Sequence, residues 1–361
     1  MPKAIITGSS GLIGSEMVRY LDKLGWQVLG IDNNGREDYF GKEGSTNHNL
    51  ESLIKDCPGF YHVNKDIRNK QGILEQFDLH KGADLVCHFA AQPAHDYSWN
   101  HPLEDFYINA LGTMHVLEAT RLFNPEAVFI YTSTSKVYGT FANSWEYMQS
   151  YPTRWDYVEE SSLLEDNRRN GVTEFCPVDQ GHTIHSLFGA SKLAADIMVQ
   201  EYGNYFGLKT AILRPGCMTG SGHAGVELHG FLSYLIKCVV EGKNYKVFDD
   251  LAGKRVRDNI HSYDLVTACY EIFKNPPEPG EVFNIGGGRD NSISIIEALD
   301  LAAEMTGKEA KYTVTHQPRV GDHIVYITDN SKFKHAYPDW KLTYDLNRIF
   351  TDIIDGYTHP H

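Results

Sequence analysis

The sequence predicts an α/β protein with a Rossmann-like, doubly wound parallel sheet and a smaller, partly interleaved C-terminal lobe. Two observations carry this prediction. The first half of the chain alternates short apolar runs with longer amphipathic stretches, which is the pattern of βαβ units. The apolar runs show little polar alternation, as expected of strands that are covered on both faces.

The elements follow one another in the order of the chain. The apolar runs are KAIIT, QVLGID, DLVCHFA and AVFIYTST, and the amphipathic stretches are SEMVRYLDKLG and TMHVLEATRLF. From about residue 141 to 185 the pattern gives way to a polar, aromatic-rich segment, which we interpret as a long surface insertion. A helix candidate, SKLAADIMVQEYGNYFG, and a strand candidate, KTAILRPG, come next. We therefore assign residues 1–215 to the Rossmann domain and 216–361 mainly to the second lobe, with about 262–290 returning to the first.

Composition excludes several classes of protein. The chain has 361 residues and a formal net charge of -14, which argues against broad electrostatic binding to nucleic acid or an anionic membrane. No stretch approaches the roughly 18 apolar residues that span a bilayer. The N-terminus lacks the basic start and apolar region of a secretory signal, so we expect a cytoplasmic protein. The six cysteines lie far apart without a CxxC pair, which indicates reduced thiols and no zinc site.

A glycine-rich turn joins the first strand to the first helix. In a dinucleotide site, glycines at the spacing of Gly8, Gly11 and Gly14 allow a tight turn and let a pyrophosphate approach the helix N-terminus. Asp32 follows at the end of the second strand, where a carboxylate can bond a ribose 2'-hydroxyl and would repel a 2'-phosphate. This predicts NAD rather than NADP, although Arg36 follows closely. The residues expected to contact the cofactor here are Gly8, Gly11, Leu12, Ile13, Gly14, Asp32 and Asn33.

The TGxxGxxG spacing and the later motifs DIRN, HFAAQ, NALGTMHVLEA and TSTSKVYG resemble the extended short-chain dehydrogenase/reductase family, the sugar-nucleotide epimerases and dehydratases. The resemblance runs through nearly the whole chain. It implies bound NAD, a nucleoside-diphosphate sugar as substrate, a substrate-binding role for the second lobe, and a homodimer formed partly through TMHVLEATRLF and KLAADIMVQEYG. Further cofactor contacts that it implies are Asp66, Ile67, Phe89, Ala90, Ala91, Gln92, Asn109 and Thr132.

The resemblance also implies the centre of the active site. Thr134 would supply the active-site hydroxyl, and Lys192 would bond the nicotinamide ribose and add positive charge beside the reacting hydroxyl. The family carries YxxxK, with the tyrosine as general base, but this chain has Phe188 at that position. A phenyl ring cannot accept a proton.

Three explanations for Phe188 remain open. Another residue could be the base, with Tyr138, His185, Asp179 and Cys176 as candidates. The chain could belong to a natural branch with altered or lost chemistry. Phe188 could also be an introduced change from tyrosine. Losing a general base typically costs about a hundred- to ten-thousand-fold in rate, so an active enzyme needs a substitute.

A diphosphate group in the substrate needs cationic side chains to bind it. The planar guanidinium group of arginine suits phosphate oxygens. The resemblance assigns this role to Arg257 and Arg319, and it places the sugar and nucleotide along the run that starts at Gly216. In that run His223, Glu227 and His229 resemble a metal cluster only superficially, because no further motif completes a ligand set. We therefore expect no metal.

The glycine turn, Asp32 and the resemblance together predict an NAD-dependent epimerase. The resemblance implies that it abstracts a hydride from the sugar and returns it to the other face. The stretches STSKVYG, HSLFGASKLAAD, and KRVRDNIHSYD followed by FNIGGG resemble the branch of 2-epimerases that act on CDP-linked deoxyhexoses. Dehydratases and decarboxylases are an alternative, but Ser135 and Lys136 replace the acid pair that elimination needs after Thr134. A non-catalytic protein that binds NAD or a sugar nucleotide is a third hypothesis, raised by Phe188.

Overall fold

The computed structural model describes residues 1–143, 148–158, 170–179, 181, 183–227, 229–249, 251–315 and 320–359. The chain forms two compact units. The first unit comprises Met1–Thr134, Leu187–Arg214 and Leu265–Phe283, and the second comprises Ser135–Ser186, Pro215–Asp264 and Asn284–His361. The segment expected as a surface insertion therefore groups with the second unit.

Fifteen strands are found among the described residues. They are β1 (Lys3–Thr7), β2 (Gln27–Asp32), β3 (Phe60–Asn64), β4 (Leu85–His88), β5 (Val128–Thr132), β6 (Met148–Ser150), β7 (Trp155–Tyr157), β8 (Lys209–Pro215), β9 (Cys217–Thr219), β10 (Tyr245–Val247), β11 (Val256–His261), β12 (Glu281–Ile285), β13 (Ser292–Ser294), β14 (Tyr312–Val314) and β15 (Val325–Tyr326).

Thirteen α-helices accompany these strands in the part of the chain that the structure describes. They are α1 (Leu12–Lys23), α2 (Gly35–Phe40), α3 (Asn47–Asp56), α4 (Lys70–Leu79), α5 (His95–Asn100), α6 (Pro102–Phe106), α7 (Thr113–Phe123), α8 (Ser186–Phe206), α9 (Phe231–Glu241), α10 (Ser262–Lys274), α11 (Ile295–Thr306), α12 (Ser331–Ala336) and α13 (Leu346–Thr358). A π-helical turn, Tyr107–Gly112, joins α6 to α7.

The first unit is built on a seven-stranded sheet in the order β12-β8-β5-β4-β1-β2-β3. The strand pairs from β3 to β8 are all parallel. This arrangement confirms the predicted Rossmann-like fold. Thr7 pairs with Ile31 on one side and with His88 on the other, so the carboxyl ends of β1, β2 and β4 lie at one edge of the sheet. In such folds ligands bind at this edge.

The core of the first unit explains why these segments form strands and helices. The inner strands β4 and β5 are buried along their whole length, because helices cover both faces of a parallel sheet. Helix α1 buries one face through Ile13, Met17, Val18 and Leu21, at the spacing of an amphipathic helix. This packing fixes the N-terminus of α1 directly above the end of β1.

The second unit has smaller sheets and its own core. Strand β11 pairs with β13, β15 and β9, and β10 pairs with β14. Helices α9, α11 and α13 pack on one another around a cluster that includes Leu235, Leu299 and Phe350. A capping box begins α11, in which the Ser294 and Glu297 side chains bond each other's backbone N–H groups. Among the described residues, no helix has both the length and the apolarity needed to cross a membrane.

Candidate active site

The glycine turn predicted between β1 and α1 is as crowded as a dinucleotide-binding turn requires. Gly8 has φ +71°, and a Cβ there would lie 2.7 Å from the backbone nitrogen of Ala90. A Cβ on Gly14 would lie 2.0 Å from the Gly8 carbonyl oxygen. Gly11 is different, because its Cβ would meet only that oxygen, at 3.3 Å. Two glycines therefore pack the turn, and the third leaves open space in front of α1.

Polar groups at this turn are well suited to an anion. No side chain caps the N-terminus of α1, so its first backbone N–H groups point outward. The buried hydroxyls of Ser9 and Ser10 have no hydrogen-bond partner among the described residues, and neither does that of Thr132 at the end of β5. Buried polar atoms are normally satisfied, so these atoms fit a site that a polar ligand completes.

Asp32 lies beside this turn at the end of β2. Its carboxylate accepts hydrogen bonds from the backbone N–H groups of Ser10, at 2.9 Å, and Asn34, at 2.7 Å. Burial raises the pKa of this carboxyl, and the two backbone donors oppose that shift. Arg36 donates to the Gly44 carbonyl oxygen at 3.3 Å and stacks on Phe40. The arginine is thus engaged within its own loop, while Asp32 stands next to the turn.

The residues expected along the adenine form a second group. Asn33 donates to Asp66 at 3.1 Å, and Arg68 pairs with the same carboxylate at 2.7 Å. Ile67 is buried, and its carbonyl oxygen contacts the His115 ring at 2.9 Å. The backbone N–H of Phe89 donates to Thr7, which sets the segment that continues into Ala90 and Ala91 at the end of β4. Asn33, Asp66 and Phe89 therefore follow the carboxyl ends of β2, β3 and β4, at one edge of the sheet.

A buried hydrogen-bond network surrounds Asn109, which sits in the π-helical turn. The Asn109 amide bonds the backbone of Gln92 and donates to Asp105, at 3.2 Å, and to Ser191, at 3.1 Å. Gln92 also donates to Asp105 at 2.9 Å, and the Ser191 hydroxyl donates to it at 2.5 Å. Burial raises the pKa of Asp105 to about 6. The network ties the HFAAQ loop, the π-helical turn and α8 together, and π-helical turns are frequent at functional sites.

Lys192 is buried on α8, close to the end of β5. Its Nζ donates to the carbonyl oxygen of Thr132 at 2.7 Å and lies 4.2 Å from the centre of the Tyr131 ring. Burial lowers the pKa of Lys192 to about 7, although Asp196 and Asp105 raise it. Thr134 follows two residues after Thr132 in the chain. The structure thus brings Lys192 to the strand end that carries the predicted active-site hydroxyl.

Phe188 lies one helical turn before Lys192, because α8 begins at Ser186, five residues earlier than the sequence pattern predicted. It is buried, and its ring is centred 5.2 Å from the ring of His95, at an angle of 53°. His95 is the first residue of α5. This histidine lies three residues after the HFAAQ motif.

The four alternative bases considered for the missing tyrosine belong to the second unit. Tyr138 is fully buried, and its hydroxyl donates to the Asn284 side chain at 2.6 Å. His185 contacts the Val178 carbonyl oxygen at 2.7 Å through Nε2. Asp179 is exposed and Cys176 is half-buried. The Tyr138 hydroxyl is thus engaged in a hydrogen bond within the core of the second unit.

Arg257, a predicted diphosphate ligand, lies on β11 of the second unit. Its guanidinium donates to Asp322 at 2.7 Å, and Lys136 donates to the same carboxylate oxygen at 2.6 Å. Two cations share one carboxylate, which leaves positive charge for an anion. Gly216 lies close to Asp258, where a Cβ would come within 2.5 Å of the carboxylate. Arg319, the second predicted ligand, lies outside the described residues.

Three residues of this unit resemble a metal cluster in the sequence, namely His223, Glu227 and His229. In the structure their side chains contact other protein groups. The rings of His223 and His229 pack edge to face with their centres 5.4 Å apart, and Glu227 pairs with Lys246 at 3.0 Å. In the described part of the chain, no group of three or more His, Cys, Asp or Glu residues could hold a metal ion.

Sequence reasoning missed Asp105, Ser191 and His95. Asp105 lies four residues before Asn109, so the spacing of two polar residues on one helix face could have suggested it. Ser191 is part of the GASK motif itself. No sequence pattern indicated His95, because its link to the site is a contact between α5 and α8.

The chain is similar to several proteins of known activity. The model of the family described as "NAD dependent epimerase/dehydratase family" matches residues 4–286. The chain is 32% identical over 344 residues to CDP-paratose 2-epimerase of Salmonella typhi, covering 94% of each chain. It is 26% identical over 336 residues to UDP-glucose 4-epimerase of Mycolicibacterium smegmatis, covering 92% of each.

Among solved structures, the chain is similar to a variant of UDP-glucuronic acid 4-epimerase from Bacillus cereus in complex with UDP-4-deoxy-4-fluoro-glucuronic acid and NAD. The TM-score is 0.78 at 24% identity, covering 99% of this chain and 100% of that one. This likeness extends the agreement in fold to both units.

Proposed function

Because the chain belongs to the NAD-dependent epimerase/dehydratase family, we propose that it inverts one carbon in the sugar of a nucleoside diphosphate sugar. The leading candidate is C2 of a CDP-linked deoxyhexose. The observation that carries this choice is the 32% identity, over 94% of both chains, to a CDP-paratose 2-epimerase. The identity to a UDP-glucose 4-epimerase is lower, at 26%.

NAD fits the residues of the first unit, and the family match confirms it as the cofactor. The open space at Gly11 and the uncapped N-terminus of α1 would hold the pyrophosphate. Asp32 would bond the adenosine ribose, and the network around Asn109 would fix the nicotinamide end. When bound, NAD takes a hydride from a sugar carbinol and gives it back, so the cofactor is not consumed.

We expect the Asp32→Ser variant to lose most of its preference for NAD over NADP. The ribose hydroxyls lose a charge-assisted hydrogen bond worth about 1.5–3 kcal/mol, which corresponds to at least about a tenfold loss in NAD affinity. The repulsion of a 2'-phosphate disappears at the same time. Titration of both cofactors by calorimetry measures this. Asp38→Ser, which removes one exposed carboxylate from α2, is the control, and an unchanged ratio of the two affinities would contradict the role of Asp32.

At the sugar, residues of this chain would position the reacting hydroxyl and place positive charge beside it. Thr134 would hold the reacting hydroxyl. Lys192 would place positive charge beside it, since its Nζ is fixed at the end of β5. Arg257 and Lys136, which share Asp322, are the cations of the second unit proposed for the diphosphate. A homodimer remains part of this proposal.

The experiment that tests the proposal uses purified protein with NAD and a panel of CDP-, UDP- and dTDP-linked sugars in deuterated water, read by NMR. We expect a stereoisomer of one sugar, without solvent deuterium at the inverted carbon, because the same hydride is returned. Deuterium at that carbon would overturn hydride return. A product that has lost water would favour a dehydratase, and binding without any product would favour a non-catalytic role.

A further inference from the structure

The place where the family has a tyrosine is occupied here by Phe188, and an imidazole lies directly beside it. The two ring centres are 5.2 Å apart. We propose that His95 is the general base and acid of this enzyme, taking the sugar proton that the family's tyrosine takes. This inference rests on the proposed function, and it assigns a catalytic role to a residue that no sequence motif identifies.

Side-chain hydrogen bonds hold the backbone around His95 in place. The Gln92 side chain accepts from the Ala94 backbone N–H and donates to the Ala94 carbonyl oxygen at 2.9 Å. The Ser98 hydroxyl donates to the His95 carbonyl oxygen at 2.7 Å. These bonds fix the first turn of α5, so the imidazole is presented from a rigid segment. Rigid support of this kind is what a proton-transfer group needs.

The same network holds the helix that carries Phe188. Asp105 accepts from Gln92 with one carboxylate oxygen and from Ser191 with the other, at 2.9 and 2.5 Å. Ser191 lies on α8 between Phe188 and Lys192. One buried carboxylate therefore links the segment that presents His95 to the turn of α8 where the tyrosine is missing, and it sets their spacing.

Two other titratable groups of this region, Lys192 and Asp105, belong to the buried hydrogen-bond network. The Lys192 ammonium donates to the Thr132 carbonyl oxygen. The Asp105 carboxylate accepts from Gln92, Asn109 and Ser191. An imidazole changes charge near neutral pH, which lets it accept a proton in one half of an epimerisation and return it in the other.

The proposed step conserves protons and electrons. An imidazole nitrogen of His95 takes the proton of the sugar hydroxyl while the hydride on the same carbon leaves to NAD, and a ketone forms. After the sugar turns, the hydride returns to the opposite face and the imidazolium gives its proton back to the oxygen. The sugar is neither oxidised nor reduced overall, and His95 ends in its starting state.

The decisive test compares His95→Gln with the double variant His95→Gln/Phe188→Tyr. We expect the single variant to lose about 10²- to 10⁴-fold in turnover, the usual cost of a missing base. The double variant should regain most of that loss, because a tyrosine four residues before Lys192 restores the family's own base. His101→Gln, which removes an exposed imidazole stacked on Tyr97, is the control and should keep the wild-type rate. A His95→Gln rate equal to wild type, or a double variant as slow as the single one, would overturn the proposal.

A second readout separates this inference from the proposed function. In protein labelled with ¹³C-histidine, the Cε1 signal of His95, assigned through the His95→Gln variant, should move when CDP or UDP sugars bind to the NAD complex. The His101 signal should stay in place. This readout needs binding but no turnover. A stationary His95 signal on saturation with the sugar would refute its place in the site, whereas failure of the wild type to invert any sugar would refute the function alone.

Discussion

Replacing Lys192 with methionine is expected to lower turnover by about 10²- to 10³-fold, the usual loss when one preorganised charged donor is removed from a reacting oxygen. Methionine fills a similar apolar volume and carries no charge. The Lys192 Nζ is buried, donates to the Thr132 carbonyl oxygen and lies over the Tyr131 ring. Its removal therefore takes away the positive charge fixed at the end of β5.

The same substitution is expected to stabilise the folded protein at neutral pH. Burial lowers the pKa of Lys192 from 10.5 to about 7. Between these two values the unfolded chain binds more protons than the folded chain, so wild-type stability rises with pH across this interval. Well below pH 7 the folded state bears the full cost of the buried charge, and at pH 7 it already bears most of it. Each pKa unit is worth about 1.4 kcal/mol, so the cost reaches several kcal/mol.

Urea unfolding at pH 7 and pH 10, without cofactor, measures this effect. The gain in unfolding free energy for Lys192→Met should be large at pH 7 and small at pH 10. Asp196 keeps a partner in the variant, because Arg214 binds it through two hydrogen bonds at 2.9 and 2.8 Å. Lys209→Met removes a surface lysine paired with Glu126 and should show no such pH dependence. An equal effect of Lys192→Met at both pH values would contradict this account.

Much of the first unit could be predicted from the sequence, because its determinants are local. The glycine spacing from Gly8 to Gly14 and the apolar strands reflect sterics and burial within short segments. The alternation of strand and helix then restricts the topology to parallel crossovers. Asp32 could be placed at the sheet edge for the same reason, since a residue at the end of a parallel strand has few other positions to occupy.

The rest depends on contacts between distant segments. Asp105 meets Ser191 across 86 residues of chain, and no periodicity encodes that bond. His95 meets Phe188 through packing of α5 on α8, which was hidden because the pattern placed the start of α8 after Phe188. Tyr138 was a reasonable candidate base by motif, but its hydroxyl is directed to Asn284 by the core of the second unit. A residue's chemistry can be read from sequence, whereas its neighbours follow only from the fold.

Substitutions in the glycine turn should distinguish residues that are needed for folding from residues that are needed for cofactor binding. Gly14→Ala should destabilise the protein by at least about 3 kcal/mol, because the new Cβ would lie 2.0 Å from the Gly8 carbonyl oxygen and 2.7 Å from Ser9 Cα. Both are backbone atoms of a tight turn and cannot move aside separately. Thermal unfolding without NAD measures this loss.

Gly11→Ala is the matched substitution three residues earlier, and it should act in the opposite way. Its Cβ would meet only the Gly8 carbonyl oxygen, at 3.3 Å, so stability without NAD should change by no more than about 1 kcal/mol. The methyl group would instead project into the space where a pyrophosphate approaches the N-terminus of α1, and NAD affinity should fall at least about tenfold. Equal losses of stability in the two variants would mean that all three glycines serve packing alone. Intact NAD binding by Gly11→Ala would place the pyrophosphate elsewhere, since an anion held by the first turn of α1 cannot avoid that methyl group.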